Sequence, residues 1–513
     1  MVDSITAQMR HADNSADISS GDLLYTKPDS EQLYYLQNIH LLELQNSVVA
    51  LKINNSAFFE LEKEALALLN AFYSEQEKYD TLQSKLIPIT RNFIIKFVHQ
   101  KSGISYENLN ETFDELVSLG LIGENPEKVL ATPQLLEPAV SNLVLILAGK
   151  CNLACSYCYA DKGSFQGPES LMEEKTAYKA VDFLIENSDV EPSIHINFFG
   201  GEPLLNFPVL KSTVAYAKKR AAVAKKMISF SVTTNSTLLN EKAGEFFSRE
   251  NISISTSLDG SATLHDANRK YPSGKGSFED AKNNILSCKK NYPELKIGVR
   301  VTLTKEEISL KRRLFDLLEL GFSEVGFSPV SSADPNIAFS DLEYAEFTSQ
   351  FEELITLYIE TALQDQLLPV SNISNFLSYL HDGIVKNFPC GGAIGLMGVN
   401  PGGELFLCHR LIGQSEYALG NIYDGIDRTK QAQIIESTAV GNKQGCTNCW
   451  AKHFCGGGCH YEVHLQNDNI SATPLENCKW FQSWAKTLIE AYVIIMNKNP
   501  QFIDRYIDQK SLC

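Results

Sequence analysis

The chain has 513 residues, of which 44% are hydrophobic, so it is long enough to bury several cores, and we expect three folded units. Its net charge of −17 excludes an extended nucleic-acid-binding surface. No apolar run reaches the length of a membrane span, and the polar N-terminus lacks the apolar segment of a signal peptide. These features predict a cytoplasmic protein without a membrane or nucleic-acid partner.

The chain contains twelve cysteines. In an unsecreted protein of this size, cysteines at regular spacings indicate metal ligands rather than a disulfide framework. Ten of the twelve fall into spaced groups, whereas Cys288 and Cys513 stand apart and are expected to be ordinary thiols.

The N-terminal quarter of the sequence has two parts. Residues 1–30 are polar and lack periodicity, which predicts a disordered lead-in. In residues 31–138, short β-prone runs such as Val48 to Ile53 precede apolar-faced helices such as Tyr106 to Leu119, which predicts a winged-helix-like module. Such modules often bind DNA, but the acidic charge makes that role improbable. A structural cap on the next domain is the alternative.

Residues 139–370 alternate between predicted strands and helices. Six β-prone runs precede or follow helical segments: Leu143 to Leu147, Ile194 to Phe199, Ile228 to Thr234, Ile252 to Ser257, Ile297 to Leu303 and Val325 to Pro329. This pattern predicts an α/β fold, a partial (β/α)6 barrel with its active site at the carboxyl ends of the strands.

Three cysteines follow the first barrel strand. Cys151, Cys155 and Cys158 are separated by three and two residues. Three thiolates on one loop can hold three corners of a four-iron cluster and leave the fourth iron open to a ligand. Structural zinc is the alternative, but it requires a fourth ligand close by, and none follows in the sequence.

Polar residues also occur where the next strands end. Gly200, Gly201 and Glu202 follow the second strand, Thr234 and Asn235 the third, and Ser257 to Gly260 the fourth. Glu202 could pair with an ammonium group, while Arg300 on the fifth strand could bind a carboxylate or form a salt bridge inside the barrel. Asp259, Glu202 and His265 are candidate catalytic bases that also have ready structural explanations.

A second cysteine region lies within residues 371–513, after a helical stretch. Its seven cysteines have specific spacings and are Cys390, Cys408, Cys446, Cys449, Cys455, Cys459 and Cys478. Seven thiolates could hold two further iron-sulfur clusters, or two zinc ions as in a zinc ribbon.

The Cys151 to Tyr159 loop resembles the signature of the radical S-adenosylmethionine (radical SAM) family, in which the open iron chelates SAM. The resemblance implies a [4Fe-4S] cluster on the three cysteines and a SAM site at the strand ends. The residues that it places against SAM are Tyr159, Gly200, Gly201, Glu202, Thr234, Asn235, Ser257 and Arg300.

The C-terminal cysteines resemble the SPASM extension, which carries two auxiliary four-iron clusters in its family. By position, Cys446, Cys449, Cys455 and Cys478 would hold the outer cluster, and Cys390, Cys408 and Cys459 the inner one. The inner cluster would then lack one cysteine ligand, which would leave an iron open to a substrate thiolate. The resemblance therefore implies three [4Fe-4S] clusters together with SAM.

The order of module, barrel and SPASM region resembles that of thioether-forming peptide maturases, such as those acting on the small subunit of quinohemoprotein amine dehydrogenase or on peptides with six cysteines in forty-five residues. The resemblance implies that a peptide or small protein subunit docks on the N-terminal module, and that flavodoxin or ferredoxin donates electrons.

Three alternatives remain open. An anaerobic sulfatase-maturating enzyme would form formylglycine, but it normally lacks the front module and has Asp where this chain has His409. Carbon–carbon cross-linking of a peptide is a second possibility. A non-catalytic peptide chaperone or iron-sulfur scaffold is the third, against which the cysteine triad and Gly200-Gly201-Glu202 speak.

Overall fold

The computed structural model describes residues 31–79, 87–127, 137–473 and 475–508. The predicted lead-in of residues 1–30 and the thiol of Cys513 lie outside the described residues. Within these ranges, every helix is too short or too polar to cross a lipid bilayer.

The N-terminal elements run to residue 123. The strands are β1 (Leu33–Leu36), β2 (Ile39–Glu43), β3 (Val48–Lys52), β4 (Phe58–Leu61), β5 (Ile89–Thr90) and β6 (Ile122–Gly123). The helices are α1 (Lys63–Tyr79), α2 (Arg91–Ser102) and α3 (Tyr106–Ser118).

The barrel region alternates strands and helices. Its strands are β7 (Asn142–Ala148), β8 (Ser193–Gly200), β9 (Met227–Thr234), β10 (Ser253–Ser257), β11 (Ile297–Leu303) and β12 (Val325–Pro329). Its helices are α4 (Glu174–Asn187), α5 (Phe207–Val223), α6 (Glu241–Glu250), α7 (Ala262–Asn268), α8 (Phe278–Asn291) and α9 (Leu310–Glu319).

The C-terminal region is mostly helical. Its helices are α10 (Asp341–Leu363), α11 (Ser371–His381), α12 (Arg428–Thr438), α13 (Lys452–Cys455), α14 (His460–Asn467), α15 (Leu475–Lys498) and α16 (Pro500–Tyr506). Its strands are β13 (Leu396–Val399), β14 (Glu404–Phe406), β15 (Ala418–Asn421) and β16 (Gly425–Ile426).

The described residues form two compact units. Of the described residues, the smaller unit comprises 31–37, 62–79 and 87–127, with a three-stranded antiparallel sheet ordered β5-β1-β6 and the helices α1 to α3. Helix α2 begins at Thr90, whose hydroxyl accepts a hydrogen bond from the Phe93 N–H, and ends at Gly103 in the left-handed conformation (φ 71°). Helix α3 buries Leu109, Phe113 and Leu116 at helical spacing, so this unit has its own core.

The β2-β3-β4 sheet belongs to the larger unit, which comprises residues 38–61 and 137–508 of the described chain. Val49, Ala50 and Leu51 of β3 are all fully buried, so both faces of this strand are covered. Phe58 packs edge-on against Tyr492 of α15 at 5.7 Å between ring centroids. The range predicted as one N-terminal module is thus distributed over two units.

The larger unit contains a sheet whose ten strands, among the described residues, are ordered β12-β11-β10-β9-β8-β7-β13-β14-β15-β16. Strands β7 to β12 are parallel neighbours linked by helices, and β13 adds parallel to β7. The predicted α/β partial barrel is confirmed. Two predicted strands, Ile297–Leu303 and Val325–Pro329, have the predicted limits, and the other four differ by one or two residues at their ends.

The C-terminal region continues the barrel sheet rather than forming a separate body. The antiparallel strands β14 to β16 follow β13 outward from the edge of β7. Helix α15 packs on α10 and α11, with Trp484 edge-on to Phe351 at 6.0 Å and to Phe376 at 5.0 Å. The two cysteine regions of the sequence therefore lie in one compact unit.

Candidate active site

A cavity of about 400 Å³ lies at the carboxyl ends of the barrel strands, and its volume falls within the range of small-molecule sites. Most of the site residues predicted within the barrel line it: Cys151, Cys155, Cys158, Tyr159, Gly200, Gly201, Thr234, Asn235, Ser257 and Arg300. Three other predicted residues, Glu202, Asp259 and His265, are buried outside its lining.

The cysteine loop is held against the glycines that end β8. A Cβ atom on Gly201 would lie 2.3 Å from the Lys150 carbonyl oxygen and 2.8 Å from the Cys151 nitrogen. Asn235 donates from Nδ2 to Asn152 Oδ1 at 3.0 Å and to Cys151 Sγ at 3.7 Å. Glycine is required at Gly201 because backbone meets backbone there.

The three thiols of this loop lie close together. Burial raises the pKa of Cys151 to about 12, and ionisation of Cys155 or Cys158 would raise it further. Burial also raises the pKa of Cys155, which the nearby Cys158 raises as well. Thiols in such surroundings stay protonated unless a metal displaces the proton, so the donor set suits a metal-bound state.

Glu202 is fully buried and its oxygens are occupied by the chain. Its carboxylate accepts hydrogen bonds from the Leu204 N–H at 3.0 Å, the Thr234 hydroxyl at 2.8 Å and the Asn235 N–H at 2.8 Å. The side chain thus ties the end of β8 to that of β9. It does not present a carboxylate to an ammonium group in the cavity.

The burial of the Glu202 carboxyl can be tested through its pKa. Burial raises it from 4.5 to about 7, against the opposing effect of the three donors. The folded chain therefore holds a proton between about pH 5 and 7 that the unfolded chain has lost, so stability falls as pH rises through this window. In metal-free protein we expect the free energy of unfolding, measured with urea, to fall by roughly 3 kcal/mol from pH 5 to pH 7, at about 1.4 kcal/mol per pH unit.

The Glu202→Gln variant is the control, because its side chain does not titrate. Its stability should change less between pH 5 and 7 than that of the parent. Equal pH dependence in the two proteins would show that the carboxyl pKa is not raised.

Asp259 is buried at the centre of a polar network beneath the cavity. Its carboxylate accepts from the Tyr157 hydroxyl at 2.5 Å, from Arg269 Nε at 3.0 Å and from the Thr302 N–H at 3.0 Å, while Arg313 donates to its backbone carbonyl. All these contacts hold neighbouring elements in place. The geometry favours a positioning role over that of a base.

His265 is 1% exposed and also makes its contacts within the chain. Its Nε2 lies 3.0 Å from the Ser277 hydroxyl, and its Nδ1 receives the Asp259 N–H at 3.4 Å. Burial lowers its pKa to about 4, so the ring is neutral at physiological pH. None of the three predicted candidate bases faces the cavity.

The predicted carboxylate ligand Arg300 lines the cavity but also forms a salt bridge with Glu324 at 2.6 Å. Both side chains are about half exposed. Arg269 lines the same cavity, and its side chain is only 10% exposed. No site role was predicted for it from the sequence. Its guanidinium lies over the Tyr157 ring at 5.3 Å, so it is a second, more buried cation at the site.

The C-terminal cysteines predicted to act as two ligand sets have electrostatic neighbours among themselves. Cys390, Cys408 and Cys459 lie close enough for the charge of one thiolate to raise the pKa of another, in addition to the effect of burial. Cys446, Cys449, Cys455 and Cys478 influence one another in the same way. Their role as cluster ligands remains a prediction.

Cys288 stands apart from both sets. It is buried on α8, and its Sγ lies 2.7 Å from where a Cβ on Gly244 of α6 would be, with the Tyr292 ring also at that position. It therefore packs among the outer barrel helices and does not complete the inner set. In the described ranges, no three His, Cys, Asp or Glu side chains are spaced to hold a single metal ion.

Tyr159 and Arg410 connect the cysteine loop with the inner set. Burial raises the pKa of Tyr159, and so do the nearby Cys158 and Cys408 thiols. Arg410 lies over the Tyr159 ring at 5.2 Å and the Tyr461 ring at 4.3 Å, and its Nη1 lies 3.8 Å from Cys459 Sγ. Both residues line the cavity, so the inner cysteines lie beside the candidate SAM site.

The lining residues that had no site role predicted from the sequence include Tyr157, Arg269, His409 and Arg410. Their neighbours carried a signal, because Tyr157 lies within the cysteine motif and His409 and Arg410 directly follow Cys408. Arg269 caps the C-terminus of α7, four residues and about one turn after His265, and this spacing could have indicated a shared face.

The chain is similar to several known proteins. Residues 145–318 match the model of the Radical SAM superfamily. A serine-type anaerobic sulfatase-maturating enzyme of Bacteroides thetaiotaomicron is 28% identical over 307 residues, which cover 53% of this chain and 70% of that protein. A radical SAM cyclopropyl synthase of Paramaledivibacter caminithermalis is 23% identical over 384 residues, or 68% of this chain and 74% of the relative.

A solved structure supports the fold. The structure of anSMEcpe with bound AdoMet aligns with a TM-score of 0.60 at 18% identity, and the alignment covers 69% of this chain and 99% of that one.

Proposed function

We propose that the protein is a radical SAM peptide maturase that joins a cysteine sulfur to a carbon of the same peptide, since residues 145–318 match the model of the Radical SAM superfamily. The observation that carries this proposal is the position of the inner cysteine set. His409 and Arg410, which follow Cys408, line the same cavity as the Cys151 loop. A substrate sulfur held by the inner set would thus lie beside the site where a radical is made.

The residues of the cavity fit SAM and a [4Fe-4S] cluster. Cys151, Cys155 and Cys158 would hold the cluster, which when bound supplies the electron that cleaves SAM to methionine and a 5′-deoxyadenosyl radical. Gly200, Gly201 and the ends of β9 and β10 line the space in which SAM would lie. Arg269 and Arg300 are two of the arginines that line the cavity, and either could bind the SAM carboxylate.

The chain itself supplies orientation. Asp259 fixes Tyr157 and Arg269 at the wall of the cavity through hydrogen bonds of 2.5 and 3.0 Å. Arg410 places a guanidinium near Cys459, where it would stabilise a substrate thiolate by charge. Cys390, Cys408 and Cys459 leave one ligand position for that thiolate if they hold a four-iron cluster.

The test uses the anaerobically reconstituted full-length chain, SAM and a reductant such as flavodoxin or dithionite. A leader-bearing peptide with one cysteine should lose two hydrogens, or about 2 Da, and its thiol should no longer react with iodoacetamide. The same peptide with Ala in place of Cys should be unchanged. A 2 Da loss with the thiol still reactive would favour carbon–carbon cross-linking instead.

Sulfatase maturation is the second candidate, because the similarity to the Bacteroides thetaiotaomicron enzyme supports it. In the same assay it would convert a Cys or Ser of a sulfatase-derived peptide into an aldehyde, which a hydrazide probe detects. His409 stands where that class expects Asp, and burial lowers its pKa to about 3. A neutral imidazole there is a poor substitute for a carboxylate base.

We also propose that the peptide docks on the N-terminal strands, by adding a strand to a sheet edge. Truncation is not a clean test, because removal of residues 1–135 would take β2 to β4 out of the larger unit as well as deleting the smaller one. Substitutions on the smaller unit alone are preferable, with peptide affinity and SAM cleavage measured side by side.

A further inference from the structure

Three buried or half-buried lysines surround the C-terminal cysteines. These are Lys386, Lys443 and Lys452, which we call the lysine collar. Lys443 is 1% exposed and Lys452 5% exposed, which is rare for a lysine. The chain as a whole has 62 acidic and 45 basic side chains, so a local excess of cations is unexpected.

The collar is not neutralised by carboxylates. Lys443 Nζ donates to the Gly457 carbonyl at 2.9 Å, and Lys452 Nζ to the Thr447 carbonyl at 2.9 Å. Lys386 Nζ lies over the Tyr379 ring at 3.7 Å. Among the described residues, no Asp or Glu oxygen lies within 4.0 Å of any of these three ammonium groups. A buried ammonium group without an anionic neighbour is strongly destabilising.

The nearest potential anions are the cysteines. Thiolates at Cys446, Cys455, Cys459 and Cys478 would all act on Lys443, which therefore lies between the outer set and the inner Cys459. Thiolates at Cys390 and Cys455 would act on Lys386, and those at Cys446 and Cys449 on Lys452. Lys443 and Lys386 thus face both cysteine sets and Lys452 faces the outer one, and none of them faces an acidic side chain in the part of the chain that the structure describes.

The backbone makes room for Lys443. Gly457 has a φ of 93°, and a Cβ at that position would lie 3.1 Å from Lys443 Cδ and 3.5 Å from Nζ. The Lys443 carbonyl accepts the Cys446 N–H at 3.0 Å, so the lysine and the first outer cysteine are joined in one turn. The position of the ammonium group is therefore fixed from both sides.

We propose that the lysine collar is the counter-charge of the two C-terminal iron-sulfur clusters, and that Lys443 raises the reduction potential of the outer one. The inference rests on the proposed function, which places clusters on these cysteines. A four-iron cluster with four thiolates is anionic, and one-electron reduction adds a further negative charge. Nearby ammonium groups stabilise the reduced form more than the oxidised form, since the attraction grows with the charge.

Removing the charge of Lys443 should favour the metal-free protein and disfavour the reduced, metal-loaded one. Lys443→Met keeps the length and apolar stem of the side chain but removes its charge. In metal-free protein the change should raise the midpoint temperature of thermal unfolding, because it removes a buried charge that has no anionic partner. In the loaded protein it should lower the equilibrium constant for reduction of the outer cluster about tenfold, which is about 59 mV for one electron.

The experiment is a potentiometric titration with dithionite, followed by electron paramagnetic resonance, on the anaerobically reconstituted full chain. Lys443→Arg keeps the charge and should stay near the parent potential. Lys290→Met, on the exposed face of α8, controls for the loss of any lysine. Loss of about four irons from Lys443→Met but not from Lys443→Arg would support the same conclusion.

Two results would overturn the inference, and they can be told apart. If the parent binds about twelve irons and Lys443→Met has an unchanged potential, the collar has no electrostatic role while the cluster assignment stands. If the parent binds only about four irons, the C-terminal clusters of the proposed function are refuted, and the role of the lysine collar is refuted with them. Lys452→Met provides a second variant should Lys443→Met fail to fold.

Discussion

Replacing Cys151, Cys155 and Cys158 together by alanine is expected to abolish SAM cleavage and to remove about four of roughly twelve irons per chain. The three thiols lie together on one loop at the wall of the cavity, whereas the other seven predicted ligands lie in the C-terminal region. Iron and sulfide analysis and chromatography of 5′-deoxyadenosine measure the two effects.

Cys288→Ala is the matched control, because this thiol is buried among the outer barrel helices. It should retain all the iron and full SAM cleavage. Only its stability should fall slightly, because one small buried side chain is made smaller. Iron loss from Cys288→Ala, or undiminished SAM cleavage by the triple variant, would contradict the assignment. Zinc in near-stoichiometric amount with little iron would favour a structural site instead.

Asp259→Ala is expected to destabilise the protein by about 3–5 kcal/mol, because it leaves the buried Arg269 guanidinium without its anionic partner. The two side chains are 1% and 10% exposed, so water cannot replace the lost contact. Urea unfolding of the metal-free protein at pH 7 measures the change.

Arg300→Ala breaks an exposed salt bridge at a similar distance and should cost only about 0–1 kcal/mol. This contrast separates a positioning role for Asp259 from a catalytic one. An Asp259→Ala protein as stable as the parent but unable to modify peptide would identify Asp259 as a catalytic group and refute the positioning role.

The sequence predicted the barrel well and proposed cysteine sets that stay a prediction, both for a physical reason. Buried parallel strands require continuous apolar runs such as Leu143 to Leu147, and ligands of one cluster must be near neighbours or return to one place in the fold. Spacing therefore carried most of the information. The outer set joins Cys446 with Cys478, 32 residues later, and here the family resemblance supplied what spacing alone could not.

The sequence could not predict how polar side chains are used. Glu202 and Asp259 lie at strand ends, as predicted, but their carboxylates bind Thr234 and Arg269 rather than facing the cavity. A motif gives the identity of a side chain, whereas its direction depends on donors that the fold brings from elsewhere. For the same reason the sequence did not predict the contacts of Arg410, because its partner Tyr159 is distant in sequence and Tyr461 is too.

The assignment of β2 to β4 to the larger unit has a consequence for biosynthesis. The Gln45 N–H donates to Glu490 at 2.8 Å, across 445 residues of chain. At about 5–20 residues per second, a ribosome would need roughly 20–90 s to synthesise that interval. During this time Val49, Ala50 and Leu51 of β3, which the finished protein buries completely, lack their final covering. Newly made chains should therefore depend on a chaperone until α15 emerges, and translation arrest before residue 475 should leave them bound to it.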